Sequence, residues 1–549
     1  MNEHNESIVA ENDTPALNAD EVAGGWRGQI VVVSILIGCI CIGIIIRAFG
    51  IGTPITGIRD THTASITRNL MRDGIPGILK PRVDYPGDQP GYLALELPIL
   101  NSIQALTSRL IPWAGEAAFR LPSLLAYIFG ALALFDIARR RLGEREACFA
   151  VALTALFPVH ITTSVSPAPD QASISLAVIG LAGLDRFLDS NRLATLAVAA
   201  LALSAAILVK PPTLVFALPC AVLVMTRRGW RAVLRPPLVI AALLAVTPLV
   251  GWMIHSRHLN ETSKLNWDVT AAQLVDVYIN QRGRVQFYGD LGWYRVVADN
   301  LVIGFTAAGV ALAVIGLFVA IRRRLPFGWV LIAWFVALLS YVFVLPFHLA
   351  THKYYVLPFA PLIALLGGLS LAILSDRKIR RRTIVGSVIA LGVVATVAIS
   401  VPSTVKKLKS FPRCRVVFGE VAQKRSSPDD LIITAVPGMR AYDGILLYRA
   451  NRRGWKLPLQ PDQDRRPKVW GTDTDAPTTI DRGDAFWTKR SIAGLELMRD
   501  HGASLIGILG SRRRLTRTAP GFMAYLEENY TRVAKVQCCV FYDLSTKRQ

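Results

Sequence analysis

Asp60 follows Arg59 in GIRDTHTASITRNLMRDG, a polar stretch that comes directly after a long uncharged apolar run. A carboxylate so placed can take a proton from an acceptor hydroxyl or amine at a membrane surface. It can equally cap the short helix it begins, or pair with Arg59 or Arg68. Glu96 stands in LALELPIL, where its charge demands a partner; it is a second acidic group, an orienter of substrate, or a ligand to a backbone amide. Asp170 closes SPAPD and opens an apolar run, a place to cap a helix or to bind a cation or substrate. Lys210, between ILV and Pro211-Pro212, is expensive there unless it snorkels or holds an anion. His352, Tyr354 and Tyr355 stand in HKYYVLPFAP at the mouth of another apolar run. With Arg59 and Lys210 they can clamp a phosphate, whose charge on leaving is stabilised by cationic donors; Lys and Tyr are also ordinary interfacial anchors. A divalent cation near Asp60 or Asp170 suits the chemistry, but no complete ligand set is visible and the metal stays unassigned.

The chain that must position these groups has 549 residues, 52% hydrophobic and only 18% charged, below the roughly 25% charged of a soluble domain. Its charges cluster between apolar blocks, which is the pattern of a polytopic α-helical membrane protein. The formal charge of +22 would suggest nucleic acid in a soluble protein. Here much of it is Arg at the ends of spans, where it fixes orientation and meets anionic lipid, so nucleic acid is set aside. The first 25 residues read as acidic, polar and disordered, and lack the basic leader of a cleaved signal, so Gln29 to Ile46 reads as a retained span closed by Arg47.

Further spans are expected near 117–138, 147–165, 171–188, 193–209, 212–226, 236–254, 299–320, 327–347, 354–374 and 383–401, about eleven with the first. Alternate gaps are short and basic: Arg139 to Arg141 with Arg145, Arg186 with Arg192, Arg227 to Arg235, Arg322 to Arg324, and Arg377 to Arg382. They face the cytoplasm. The other gaps, 50–116, the SVSPAPD turn, the Lys210 junction, 255–298 and 348–353, then face outside. Every unusual polar residue falls on that one face.

The domains expected are a cytoplasmic N-terminus at 1–28, a transmembrane domain at 29–401 with its outer loop at 50–116, and an extracytoplasmic α/β domain at 402–549. In the last, PDDLIITAV reads as a strand, AYDGILLYRANRRGWKL as an apolar-aromatic segment and turn, DAFWTKRSIAGLELMRDHGASLIGIL as helix, Gly turn and strand, and GFMAYLEENYTRV with KVQCCVFYDL as a further helix and strand. The segment between 456 and 484 reads as a loop. The seven Cys show no metal-ligand spacing; adjacent Cys538 and Cys539 suit each other poorly, but Cys414 can pair with one of them in an oxidising compartment.

Taken together, Asp60 with HTASITRNLMRDG, LELP at 95–98, GEAAFRLPSLLAYIFGALALFDIARRRLG at 115–143, SPAPD, ILVKPP at 207–212 and HKYYVLPFAPLIALLGG at 352–368 resemble the GT-C membrane glycosyltransferases, in particular bacterial relatives of protein O-mannosyltransferases and of the lipid A aminoarabinose transferase. The resemblance covers roughly residues 30 to 375. It implies a polyprenyl-phosphate-linked sugar donor, an envelope lipid, glycan or protein as acceptor, and a multi-pass place in the bacterial cytoplasmic (inner) membrane among its lipids. It further implies Asp60 as catalytic base with Glu96 as a second acidic residue, and Lys210, Tyr354 and Tyr355 near phosphate; Arg59, Asp170 and His352 join the binding set from the reading of the residues above. Two positions depart from the family pattern: Arg59 precedes the base where many relatives carry a second acid, and Leu97 follows Glu96 where some carry Lys. The alternative reading is a transporter or flippase for a lipid-linked precursor, and a third is an envelope scaffold, for which Asp60 and Lys210 are dispensable.

Overall fold

The structure, a computed structural model, describes residues 19–262, 289, 291–375, 398–436, 444–459 and 484–548. The expected disordered N-terminus, most of the 383–401 span and most of the loop between 456 and 484 lie outside the described residues, as does much of 255–298.

The membrane part comprises α1 (Ala19–Ile51), α2 (Ile58–Asp73), α3 (Pro76–Leu79), α4 (Ile99–Leu110), α5 (Leu121–Arg141), α6 (Glu144–Leu156), α7 (Pro158–Thr163), α8 (Asp170–Ser190), α9 (Leu193–Val209), α10 (Ala217–Arg228), α11 (Pro236–Thr262), α12 (Leu291–Arg322), α13 (Gly328–Val344), α14 (Pro346–Thr351) and α15 (Ala360–Leu374). Among the described residues six helices are long and apolar enough to cross a membrane: Ile30–Ile51, Leu121–Arg141, Asp170–Ser190, Pro236–Thr262, Leu291–Arg322 and Lys353–Leu374; Leu193–Val209 and Gly328–Val344 are shorter apolar helices. The expected eleven are therefore not all long helices. The 147–165 block breaks because Pro158 has no amide to donate, and Phe157 before it turns extended at φ −63°, ψ 124°. In the same way Lys210, held extended before Pro211, splits the next region into a 3₁₀ segment Pro211–Phe216 and α10. Arg47 does not close the first span. It is wholly buried, with its guanidinium 3.7 Å from the centre of the Tyr127 ring and Nε donating to Ser164 Oγ at 2.6 Å.

Glycines let the helices approach closely: a Cβ on Gly316 would stand 2.0 Å from the Leu366 carbonyl oxygen. At the basic end the arginines are neutralised by acids. Arg140 and Arg186 bond Asp136, and Arg141 reaches Asp185 and Asp189, each at 2.7 or 2.8 Å. These pairs fix the helix ends to one another.

Outside, α2 is not an interfacial helix lying flat on the bilayer. Thr61, Thr63, Ser65, Thr67 and Asn69 are all buried, so its polar face needs partners. Thr67 donates to Gln104 Oε1 at 2.6 Å, Asn101 donates to Thr63 O at 2.8 Å, and Gln104 donates to Pro167 O at 2.8 Å. The interfacial pattern belongs instead to α4, which buries Leu100, Gln104 and Ala105 and exposes Ile103, Leu106 and Leu110. Gly74 does end α2, at φ 69° with its amide on Leu70 O.

The C-terminal part contains α16 (398–409), α17 (Arg413–Arg425), β1 (Leu431–Val436), α18 (Ile445–Ala450), β2 (Gly454–Pro458), α19 (Asp484–Asp500), β3 (Ala503–Leu509), α20 (Arg512–Thr518), α21 (Pro520–Asn529), β4 (Tyr530–Val536) and β5 (Cys539–Lys547). The sheet runs β2-β1-β3-β5-β4, parallel across its first three strands and antiparallel at β5 and β4. The expected single apolar-aromatic segment is a helix and a strand, α18 and β2, and the last expected strand is a hairpin. One face of this sheet packs on α17, α18 and the outer loop in a shared core of Val83, Tyr85, Phe418, Leu447 and Phe541. Glu116 joins the two parts by accepting from Ile55 N at 2.8 Å, Tyr448 OH at 2.9 Å and Arg449 Nη1 at 2.7 Å.

Candidate active site

Helix breaks put the polar groups in place. Gly57 precedes α2 without a side-chain cap, so the Asp60 carboxylate is not spent on capping. Nor does it pair with Arg59 or Arg68, which bond Glu96 and Asp84. Asp60 Oδ1 accepts from Ser166 Oγ at 2.6 Å, and Ser166 stands in the Pro-rich turn before α8. That turn is held to α2 through Gln104, which accepts from Thr67 and donates to Pro167 O, so the Asp60 carboxylate and the Ser166 hydroxyl share one frame. Burial raises the Asp60 pKa above the ordinary carboxylate value, opposed by the Ser166 bond and by Arg120.

Asp60 lines a cavity of about 790 Å³ together with Arg120, Ser166, Thr306, Lys353, Tyr354 and Lys407. Arg120 is buried and donates to the carbonyls of Gly50 at 2.7 Å, Ile51 at 2.9 Å and Thr53, which shapes the wall beside the base. Ser400, Ser403, Thr404 and Lys407 of α16 also line it; their spacing is one helical face. Thr306 interrupts α12 at φ 68°, ψ 155°, a left-handed conformation that is strained for a β-branched residue. Lys353 and Lys407 are exposed, so the mouth of the cavity is basic.

The other candidates form ion pairs beside it. Arg59 Nη2 bonds Glu96 Oε1, next to a void of about 20 Å³. Lys210 Nζ bonds Asp170 Oδ1 with both side chains buried, next to a void of about 10 Å³ shared with Tyr354 and Tyr355. The Lys210 ammonium is 5.0 Å from the Tyr354 ring centre and 4.4 Å from that of Tyr355. His352 packs on both tyrosines, at 5.5 and 5.6 Å between ring centres, and accepts or shares a 2.6 Å bond with Thr351 Oγ1. Arg59 senses the charges of Glu96, Asp170 and both tyrosines. All eight residues singled out in the sequence thus converge, with Tyr354 reaching both the cavity and the Lys210 void.

The roles of Arg120, Ser166 and Lys407 escaped sequence reading, as did that of His348. Its ring lies 4.9 Å from Tyr355, and its pKa is pushed down to about 3 by burial first and then by His352 and Lys210. It is neutral at physiological pH. The break of the chain at SPAP was the available signal for Ser166; Arg120 and Lys407 look like ordinary interfacial charges. Asp170 is engaged by Lys210, and among the described residues no three His, Cys, Asp or Glu gather as metal ligands.

Multi-span helices with broken segments, an outer loop and a trailing β-sheet domain are the fold this chain shares with solved structures of the GT-C fold, the fold the sequence resemblance implied. The chain is similar to crystal structures of ArnT from Cupriavidus metallidurans, in the apo state with a TM-score of 0.61 at 14% identity, and bound to undecaprenyl phosphate with a TM-score of 0.59 at 16% identity; each comparison covers 95% of this chain and 98% of that one. It is also similar to the archaeal oligosaccharyltransferase AglB from Archaeoglobus fulgidus in complex with an inhibitory peptide and a dolichol-phosphate, with a TM-score of 0.54 at 13% identity over 94% of this chain and 74% of that one. The family of dolichyl-phosphate-mannose-protein mannosyltransferases matches residues 88–255. No curated protein sequence matches the chain.

Proposed function

We propose that this protein transfers a sugar from a polyprenyl-phosphate-linked donor to an envelope lipid, glycan or protein at the outer face of the bacterial cytoplasmic membrane. The observation that carries the reading is Asp60: a carboxylate without a salt bridge among the described residues, held by Ser166, on the wall of a 790 Å³ cavity with a basic mouth. Asp60 takes the acceptor proton as the acceptor attacks the anomeric carbon, the polyprenyl phosphate leaves, and the configuration inverts. A carboxylate whose pKa is raised by burial is the stronger base for that step. Lys210, Arg59, His352, Tyr354 and Tyr355 receive the phosphate. To do so, Lys210 must exchange Asp170, and Arg59 must exchange Glu96, for phosphate oxygens. Glu96 then acts through Arg59 by holding it until donor arrives.

The shorter apolar helices and the broken segments complete the crossings, with the domain after Pro402 outside. A transporter reading has one observation in its favour: the breaks at Lys210 and Thr306 resemble the interrupted helices of carriers. Mass spectrometry of extracted lipids and envelope glycans from cells with wild-type or Asp60→Asn protein, at equal membrane levels, separates the two. Transfer predicts that one polyprenyl-phosphate sugar accumulates and one glycan modification disappears. Unchanged pools and glycans would reject an Asp60-dependent transferase.

A further inference from the structure

Three cysteines outside the reacting cavity meet at one corner of the C-terminal domain. Cys414 is exposed near the start of α17, Cys538 is half-buried on the turn between β4 and β5, and Cys539 is buried at the start of β5. The packing of α17 on the sheet explains their meeting. Phe418 stacks on Phe541 with ring centres 4.9 Å apart, and both share a core with Cys539. One helical turn back from Phe418 is Cys414, about 6 Å along the axis; two residues back from Phe541 is Cys539, about 7 Å along the strand. The two displacements bring Cys414 to the hairpin turn, with its thiol beside that of Cys538. The turn is itself anchored, since Gly510 N donates to Cys538 O at 2.8 Å.

We propose that Cys414 and Cys538 are joined by a disulfide in the mature protein, with Cys539 left as a core thiol. The inference rests on the reading that this domain faces the oxidising side of the membrane. The two thiols form one S–S bond while a disulfide oxidant of that compartment accepts their two electrons and two protons and becomes two thiols. Burial pushes the Cys538 thiol up to about 11 and that of Cys539 up to about 12. The bond ties the start of α17 to a hairpin turn that is itself anchored to the sheet, which makes it a structural staple. Its place gives it a purpose. Ser410 and Phe411, which line the 790 Å³ cavity, immediately precede α17. The staple therefore fastens the end of the cavity wall to the sheet.

The test uses the full-length protein in right-side-out spheroplasts, labelled with a membrane-impermeant maleimide before and after reduction and then mapped by peptide mass spectrometry. The expected result is no label on Cys414 or Cys538 before reduction, label on Cys414 after it, and a 414–538 linked peptide in the unreduced digest. Label on Cys414 without reduction would overturn the disulfide, and a 414–539 linked peptide would overturn the choice of partner. Failure to label Cys414 after reduction, with labelling once the membrane is opened, would overturn the outward orientation instead. Reduction should lower Tm by about 5–10 °C, and Cys414→Ser should remove that sensitivity.

Discussion

The outer layer holds two polar regions that share α2 and the turn before α8 and are opposite in character. Around Asp60 the carboxylate has a hydroxyl partner and faces a cavity of about 790 Å³; around Lys210 and Arg59 every cation meets a carboxylate, and the adjoining voids are about 10 and 20 Å³. On the proposed reading the first region admits the acceptor and deprotonates it, and the second keeps its charges compensated until a phosphate replaces one partner. Arg59 and Asp60 are neighbours on α2, yet they serve different regions because successive helical positions point about a quarter turn apart or more.

The strongest way to break this division is Asp60→Asn. Turnover should fall about 10²- to 10⁴-fold while binding of polyprenyl phosphate stays near wild type, as measured by polyprenyl-phosphate release and by lipid binding in detergent. Equal loss of both would merge the two regions into one. Next in size is Lys210→Met, which strands buried Asp170 and should cost about 3–5 kcal/mol of stability, read by thermal unfolding. Lys210→Met with Asp170→Asn should restore most of the stability and none of the phosphate binding. Recovery of both would make the pair a structural tie only.

The pH profile sharpens the account of the base. Burial raises the Asp60 pKa, so activity is present above that value and is lost as pH falls through it, at a pH above the ordinary carboxylate range. The Ser166 bond lowers the same pKa, so Ser166→Ala should shift the acid limb of kcat/KM upward and reduce turnover by about 10-fold. A limb that moves downward would contradict the assigned hydrogen bond. The smallest effect is expected at Glu116→Gln, which weakens the junction with Tyr448 and Arg449 and should cost about 1–2 kcal/mol with little change in phosphate binding.

Much of this arrangement was legible in the sequence because membranes punish stray polar groups. Asp60, Glu96, Asp170, Lys210 and the His352 segment stood out against apolar surroundings, and the sign of the turns put them on one face. Proline also announced the break at Lys210. What the sequence did not reveal is pairing. Nothing in the one-dimensional pattern says that Lys210 meets Asp170 while Asp60 meets Ser166, since both contacts depend on how α2, α8 and α9 pack. Length misled in the same way: an apolar block such as 147–165 has the composition of a span but carries Pro158, which divides it. In the tail, helix and strand patterns over 484–509 read correctly because the Gly502 turn separates them. The α17 helix and the final hairpin were missed because their amphipathic faces are short and covered partly by the outer loop.

The most direct test measures polyprenyl phosphate binding and sugar transfer side by side for Asp60→Asn and for the Lys210→Met, Asp170→Asn double variant. The account predicts that the first binds the lipid phosphate but transfers about 10²- to 10⁴-fold more slowly, and that the second folds but has lost the binding. If Asp60→Asn transfers at the wild-type rate, or if the double variant binds the lipid phosphate as tightly as wild type, the division of labour between cavity and ion pairs is wrong.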